Sequence, residues 1–99
     1  SPVQARFLSI TTACNDYAER LAERFRAAGI RAEADVRNEK LGYKIREAQM
    51  EKIPYMLVVG EKEKESGTVA VRKRGEGDLG SRSAEEALQL ILKDIADKT

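Results

Sequence analysis

The chain has 99 residues, with 18 Lys+Arg against 17 Asp+Glu, no His, no Trp and one Cys, so it forms one small domain of nearly neutral charge. Without His it carries no Ser-His-Asp or Cys-His nucleophile pair and no imidazole acid/base, which sets hydrolase and zinc-site chemistry far behind. The lone Cys14 has no disulfide partner and no second thiolate for a metal, and it reads as a small buried apolar side chain in a reducing compartment.

The charged fraction of 35% exceeds the roughly 25% usual in soluble domains, and the 41% apolar fraction suffices for a folded chain. A chain this short buries only about 60–65% of its unfolded surface, enough for one modest core. Its longest apolar run, around residues 55–59, falls far short of the roughly 18 residues that span a bilayer. No signal-type segment opens the sequence, and a cytoplasmic location is expected. The start at Ser1-Pro2 rather than Met fits a domain excised from a larger protein.

In chain order, Val3, Ala5 and Phe7 alternate with Gln4 and Arg6 before Leu8 and Ile10 thicken the pattern, as in a strand becoming buried. Thr11, Thr12, Asn15 and Asp16 are candidate caps for a helix whose Tyr17, Leu21, Phe25 and Ala28 recur at helical spacing, and Gly29 stops it. Ile30, Ala32, Ala34 and Val36 alternate strictly with Arg31, Glu33, Asp35 and Arg37, predicting a strand with one covered and one wet face. Asn38 can cap a second helix buried through Leu41, Ile45 and Ala48, with Lys40, Lys44, Glu47 and Glu51 toward solvent and Arg46 on a flank. Gly42 within that helix points to a close backbone approach.

Pro54 stops the second helix, and Tyr55 to Val59 reads as a central strand covered on both faces. Residues 61–67 form a polar turn into a strand over 68–74 in which Val69 and Val71 face the core, and a hairpin is the economical link. A turn over 75–80 precedes the capping box Ser83/Glu86 and a last helix buried through Ala87, Leu88, Ile91, Leu92 and Ile95. The order β-α-β-α-β-β-α predicts an α/β, three-layer sandwich on a mixed, mostly parallel sheet with three helices.

The positive charge is local. Residues 37–52 hold five Lys/Arg against three Glu, and residues 67–82 hold four against two acids, while residues 83–99 hold two Lys against four acids. Arg37, Lys40, Lys44, Arg46, Arg72 and Arg74 can share one side of the sheet and attract an anionic polymer. Composition alone favours a solvated, salt-bridged surface.

Arg72 and Arg74 share a strand face by period-2 alternation, and a planar guanidinium suits a base edge or a phosphate. Asn38 and Glu63 can supply donor and acceptor patterns to unpaired bases, although a helix cap and a plain turn acid are the simpler readings of these two. Tyr43 is more open to base stacking than Tyr55, which starts a core strand. The glycines of residues 75–80 lack the Gly-Lys-Ser/Thr ending of a phosphate loop. The alternation of Glu61, Glu63 and Glu65 with Lys62 and Lys64 suits a solvated loop better than an acid/base dyad or a metal site.

The run from Asp35 to Ala48 (DVRNEKLGYKIREA), followed by KIPYMLVVG at residues 52–60, EKE at 61–63, GTVAVRKR at 67–74 and DLGS at 78–81, closely resembles the C-terminal anticodon-binding domain of threonyl-tRNA synthetases, a class II aminoacyl-tRNA synthetase family. The resemblance covers essentially the whole chain, and the ordered combination of blocks is more specific than any one of them.

It implies an anticodon-binding-domain-like, four- to five-stranded mixed sheet with three helices. The periodicity shows four strands, so a fifth has to be short or come from a turn. By resemblance, Asn38, Glu63 and Arg72 contact anticodon bases, with Arg37, Lys40, Lys44, Arg46 and Arg74 as supporting tRNA contacts. The implied partner is threonine tRNA, and the implied parent is an ATP-dependent, zinc-containing, homodimeric ligase whose catalytic residues lie outside these 99. A non-catalytic single domain without metal or cofactor of its own is therefore expected. The alternative is a protein-interaction or accessory module that keeps the fold without reading tRNA.

Overall fold

The computed structural model describes residues 3–97. Five strands, β1 (Ala5–Ser9), β2 (Ala32–Asp35), β3 (Tyr55–Val59), β4 (Thr68–Lys73) and β5 (Gly77–Ser83), form one sheet in the order β2-β1-β3-β4-β5. Four helices accompany it: α1 (Asn15–Ala27), α2 (Leu41–Met50), α3 (Glu61–Ser66) and α4 (Ala84–Asp97). β1 pairs in parallel with β2 and β3, and β4 runs antiparallel to both β3 and β5, so four of the five strands point the same way.

The period-2 pattern sorts the strands into two faces. Ala5, Phe7, Tyr55, Leu57, Val59, Val69 and Val71 meet Ala18, Leu21, Ala22 and Phe25 of α1 and Ala87, Leu88 and Ile91 of α4. Phe7 and Phe25 touch edge to face with centroids 4.9 Å apart at the centre of this layer. On the other face Leu8, Met56, Val58 and Ala70 meet Leu41, Ile45 and Ala48 of α2 together with Ile53. The molecule is thus the three-layer sandwich expected, with unequal layers.

Several local expectations are corrected. The fifth strand comes from the segment read as a turn: residues 77–83 add to β4 with a bulge between Val71 and Arg72, and positive φ at Gly77 (79°) and Gly80 (88°) lets this glycine-rich edge bend. Residues 61–66, also read as a turn, make the short helix α3, so β3 and β4 are not joined by a tight hairpin and the helices number four rather than three. Glu63 accepts the Gly60 amide at 2.8 Å, and Gly67 in the left-handed region (φ 70°) ends the helix.

Asn38 caps nothing: α2 starts at Leu41 with Lys40 as its N-cap residue and no side-chain cap. None of Thr11, Thr12, Asn15 or Asp16 caps α1 through its side chain, because a 3-10 turn, Thr12–Cys14, leads into that helix instead. A Cβ on Gly42 would meet nothing within 4 Å, so no close backbone approach explains this glycine. The Ser83/Glu86 box holds, with the Glu86 amide donating to Ser83 Oγ at 3.1 Å.

Because Phe7 is fully buried against Phe25, Phe7→Ala should cost about 3–5 kcal/mol in urea unfolding. Met50, 75% exposed, should tolerate Ala to within about 0.5 kcal/mol by the same measurement.

Candidate nucleic-acid interface

The face covered by α2 is covered only in part. Ala70 and Arg72 on β4 face the same side as Met56 and Val58, and their β5 partners Ser81 and Asp78 are exposed. Arg72 is half-buried, and its Nε is buried without a hydrogen-bond partner among the described residues. It lines a recess of about 120 Å³ with Gln49, Ile53, Met56, Lys73, Arg74, Gly75 and Gly77. Arg72 and Arg74 are therefore brought together, as their alternation predicts. Gln49 joins them from α2; its place there became readable only with the packing of that helix against β4.

Asn38 and Glu63 lie elsewhere along the sheet. Each follows the carboxyl end of a parallel strand, Asn38 in the segment after β2 and Glu63 in α3 after β3, with β1 between those strands. Arg72 pairs with Met56, three residues from Val59, and so sits about 10 Å nearer the opposite end of the sheet. The three residues are therefore spread along the sheet rather than gathered in one pocket. Glu63 commits one carboxylate oxygen to the Gly60 amide and keeps the other without a hydrogen bond among the described residues.

The cations divide into tied and uncommitted sets. Arg6, buried between β2 and α2, is held by Glu33 and by both oxygens of Glu51 at 2.8 and 2.9 Å. Arg37 grips Asp35 through two hydrogen bonds of 2.8 and 2.7 Å, pairs with Glu47, and lies 5.7 Å from the Tyr43 ring centroid. Tyr43 remains 47% exposed. Lys73 pairs with Glu76 at 2.8 Å and lies over Tyr55, whose hydroxyl donates to Asp94 at 3.0 Å in the core layer.

By contrast, among the described residues the side chains of Asn38, Lys40, Arg46, Arg72 and Arg74 make no hydrogen bond or ion pair.

Lys44 belongs to neither set. Expected toward solvent, it is 2% exposed, and its ammonium donates to Ser9 O at 3.0 Å, Ser9 Oγ at 3.2 Å and Asp35 O at 3.2 Å. All three donors are used, so Lys44 lies in the framework beneath the surface. Burial lowers its pKa, and Asp35 opposes that shift. At helical spacing Lys44 sits on the same stripe as Leu41 and Ala48, a position that a reading by residue type assigns to solvent.

A sheet with one face closed by two helices and the other left partly open by a single helix, edged by uncommitted cations and amides, is the scaffold of a binding module. The chain belongs to the anticodon-binding-domain family, whose model matches residues 2–94. It is 56% identical over 98 residues to the threonine–tRNA ligase of Syntrophomonas wolfei subsp. wolfei, covering 99% of this chain and 15% of that protein. It is 50% identical over 99 residues to the threonine–tRNA ligase of Clostridium botulinum strain Hall, covering 100% of this chain and 16% of that protein.

The crystal structure of the RNA-binding domain of threonyl-tRNA synthetase from Cryptosporidium parvum Iowa II matches with a TM-score of 0.88 at 27% identity, over 94% of this chain and 24% of that one. The chain thus spans about one-sixth of the length of the curated relatives it matches. The α/β fold with a mixed five-stranded sheet is the one that structure shares.

Three carboxyls at this end of the fold are held below their ordinary values: Asp35 and Glu47 chiefly by hydrogen bonds from Arg37, and Glu51 by those from Arg6. Between the depressed folded values and the unfolded values of about 4, the unfolded chain binds more protons. Stability is therefore present at neutral pH and is lost as pH falls through that window. Melting temperature should decline below about pH 5, and Arg37→Met should flatten that decline by freeing Asp35 and Glu47; an unchanged acid slope in thermal melts would contradict these pairings.

Proposed function

We propose that this chain is the tRNA anticodon-reading module of a threonine–tRNA ligase, and that it binds without catalysing. The observation that carries this reading is the set Asn38, Lys40, Arg46, Arg72 and Arg74 on the α2 side of the sheet, uncommitted among the described residues, whereas on that side Arg6 and Arg37 are tied to carboxylates and Lys44 to backbone and hydroxyl oxygens. The names of its relatives support the choice of threonine tRNA.

Unstacked bases are read on their edges. The Asn38 amide offers a donor and an acceptor, the free oxygen of Glu63 accepts from a base N–H, and the Arg72 guanidinium donates to a base carbonyl or ring nitrogen. The spread of these three residues suits consecutive splayed bases of a loop. Lys40, Arg46 and Arg74 then hold phosphates, fixing the register of the strand without reading it. Arg37 remains on its acids and borders the site.

Within the proposed ligase, threonine activation with ATP, the zinc site and the homodimer contact belong to the rest of the parent chain, in the cytoplasm. Among the described residues no three His, Cys, Asp or Glu are placed to hold a metal. No described helix is long and apolar enough to cross a membrane.

Binding of threonine-tRNA anticodon stem-loops, native and substituted at the second and third anticodon bases, tests this reading. Arg72→Ala should weaken native binding by roughly 10–100-fold and erase discrimination at the base it contacts. Equal affinity for every stem-loop would remove base reading, and no binding at all would favour a protein-interaction role. In a salt titration, Lys40→Ala or Arg46→Ala should each reduce the slope of log K against log salt by about 0.7, the increment for one phosphate on a single strand. Lys44→Met should leave that slope unaltered.

A further inference from the structure

Asn38, the residue proposed to read a base, has no side-chain hydrogen bond among the described residues to hold it, yet the chain directly before it is gripped at three successive residues. The Asp35 carbonyl accepts from the Lys44 ammonium at 3.2 Å. The Val36 carbonyl accepts from Asn15 Nδ2 at 3.4 Å. The Arg37 amide donates to Asp35 Oδ1 at 3.3 Å, and the Arg37 side chain closes on the same carboxylate.

The first two grips share one hub. Ser9 Oγ donates to Asn15 Oδ1 at 2.7 Å and accepts from Lys44 at 3.2 Å, while the Ser9 carbonyl takes a second Lys44 donor at 3.0 Å. Ser9 ends β1, Asn15 begins α1, Asp35 ends β2 and Lys44 lies in α2. Four elements therefore meet in one buried polar cluster at the root of the 36–40 segment. Lys44 and Ser9 are buried, so an unpaired partner here would leave a carbonyl without water to replace the bond.

We infer that Lys44, Ser9 and Asn15 act as positioning residues for base reading, holding the root of the 36–40 segment so that the Asn38 amide is presented in one place. The inference rests on the tRNA reading above and adds residues that touch no RNA. Pre-organisation is the physical content: an amide on a loose segment loses conformational freedom on binding and gives up discrimination before it gives up attraction. Lys44 and Asn15 thus matter for specificity without contributing to the phosphate field.

A double-mutant cycle on Asn15 and Asn38 tests this, read as the ratio of affinities for native and base-substituted stem-loops. Asn15→Ala is the chosen variant because Asn15 is only half-buried, and thermal melts confirm that each protein is folded. Asn15→Ala should lower the ratio about three- to tenfold, the size of one lost positioning hydrogen bond. In the Asn38→Ala background it should lower the ratio no further. Amide hydrogen exchange should quicken at residues 36–40 and stay unchanged in β3.

Equal losses in both backgrounds, or an Asn15→Ala protein that discriminates like wild type, would overturn the positioning role. A wild-type protein that fails to discriminate, or an Asn38→Ala protein that discriminates fully, would instead sink the underlying base-reading assignment. Lys44→Met supplies the second arm: where it folds, its discrimination should fall like that of Asn15→Ala, and full discrimination would count against the shared hub.

Discussion

Unequal covering of the two sheet faces is the constraint on which the rest of the molecule depends. α1 and α4 together bury one face from Ala5 to Val71, whereas α2 alone covers the other, over β1 and β3. β4 meets the α2 layer through Ala70 while no β5 residue joins that cluster, so Arg72 on this side borders only a shallow recess lined by Gln49, Ile53 and Met56. An uncovered strand face is tolerable here because its residues are Ala70, Arg72, Ser81 and Asp78 rather than large apolar ones. The same imbalance that leaves part of the sheet open makes it available to a ligand.

Charge is distributed to match. At the β2 edge Arg6 and Arg37 are bracketed by Glu33, Asp35, Glu47 and Glu51, which neutralises that side and stiffens it. Toward the end of β4, Arg72 and Arg74 have no such partners among the described residues, so a chain with a net charge of +1 still presents a directional positive edge. Lys44 shows how far residue type can mislead. Its ammonium lies inside, where three oxygens replace water and make the ends of β1 and β2 a single rigid corner.

Much of the architecture was readable from the sequence alone. Alternation at Ala32 to Asp35, the apolar run Tyr55 to Val59 and the helical stripes of α1 and α4 are local signals, since burial repeats every two or 3.6 residues. Two segments escaped for physical reasons. Residues 61–66 carry no apolar stripe and bury no side chain, so nothing periodic marks α3. Residues 77–83 contain two glycines in the left-handed region, a turn signature, and become a strand only because β4 offers its free edge. Of the candidate site, Asn38, Lys40, Arg46, Arg72 and Arg74 lie with uncommitted side chains, and Glu63 carries a capping bond that its three-residue spacing from Gly60 allows.

The sequence by itself determined which segments fold, which of their faces enter the core, and, through ordered blocks such as RNEK at residues 37–40 and VRKR at residues 71–74, the family of the domain. Only the tertiary structure decided which charges are free. Periodicity acts over a few residues along the chain, but whether an arginine is neutralised depends on carboxylates 27 or 45 positions away, as for Arg6 with Glu33 and Glu51. Lys44 and Lys40 are alike as residues and four positions apart, yet Lys44, within α2, is buried beneath the sheet's corner while Lys40, the N-cap residue, stands in solvent. That difference follows from which turn of α2 meets the ends of β1 and β2, a matter of packing that composition does not contain.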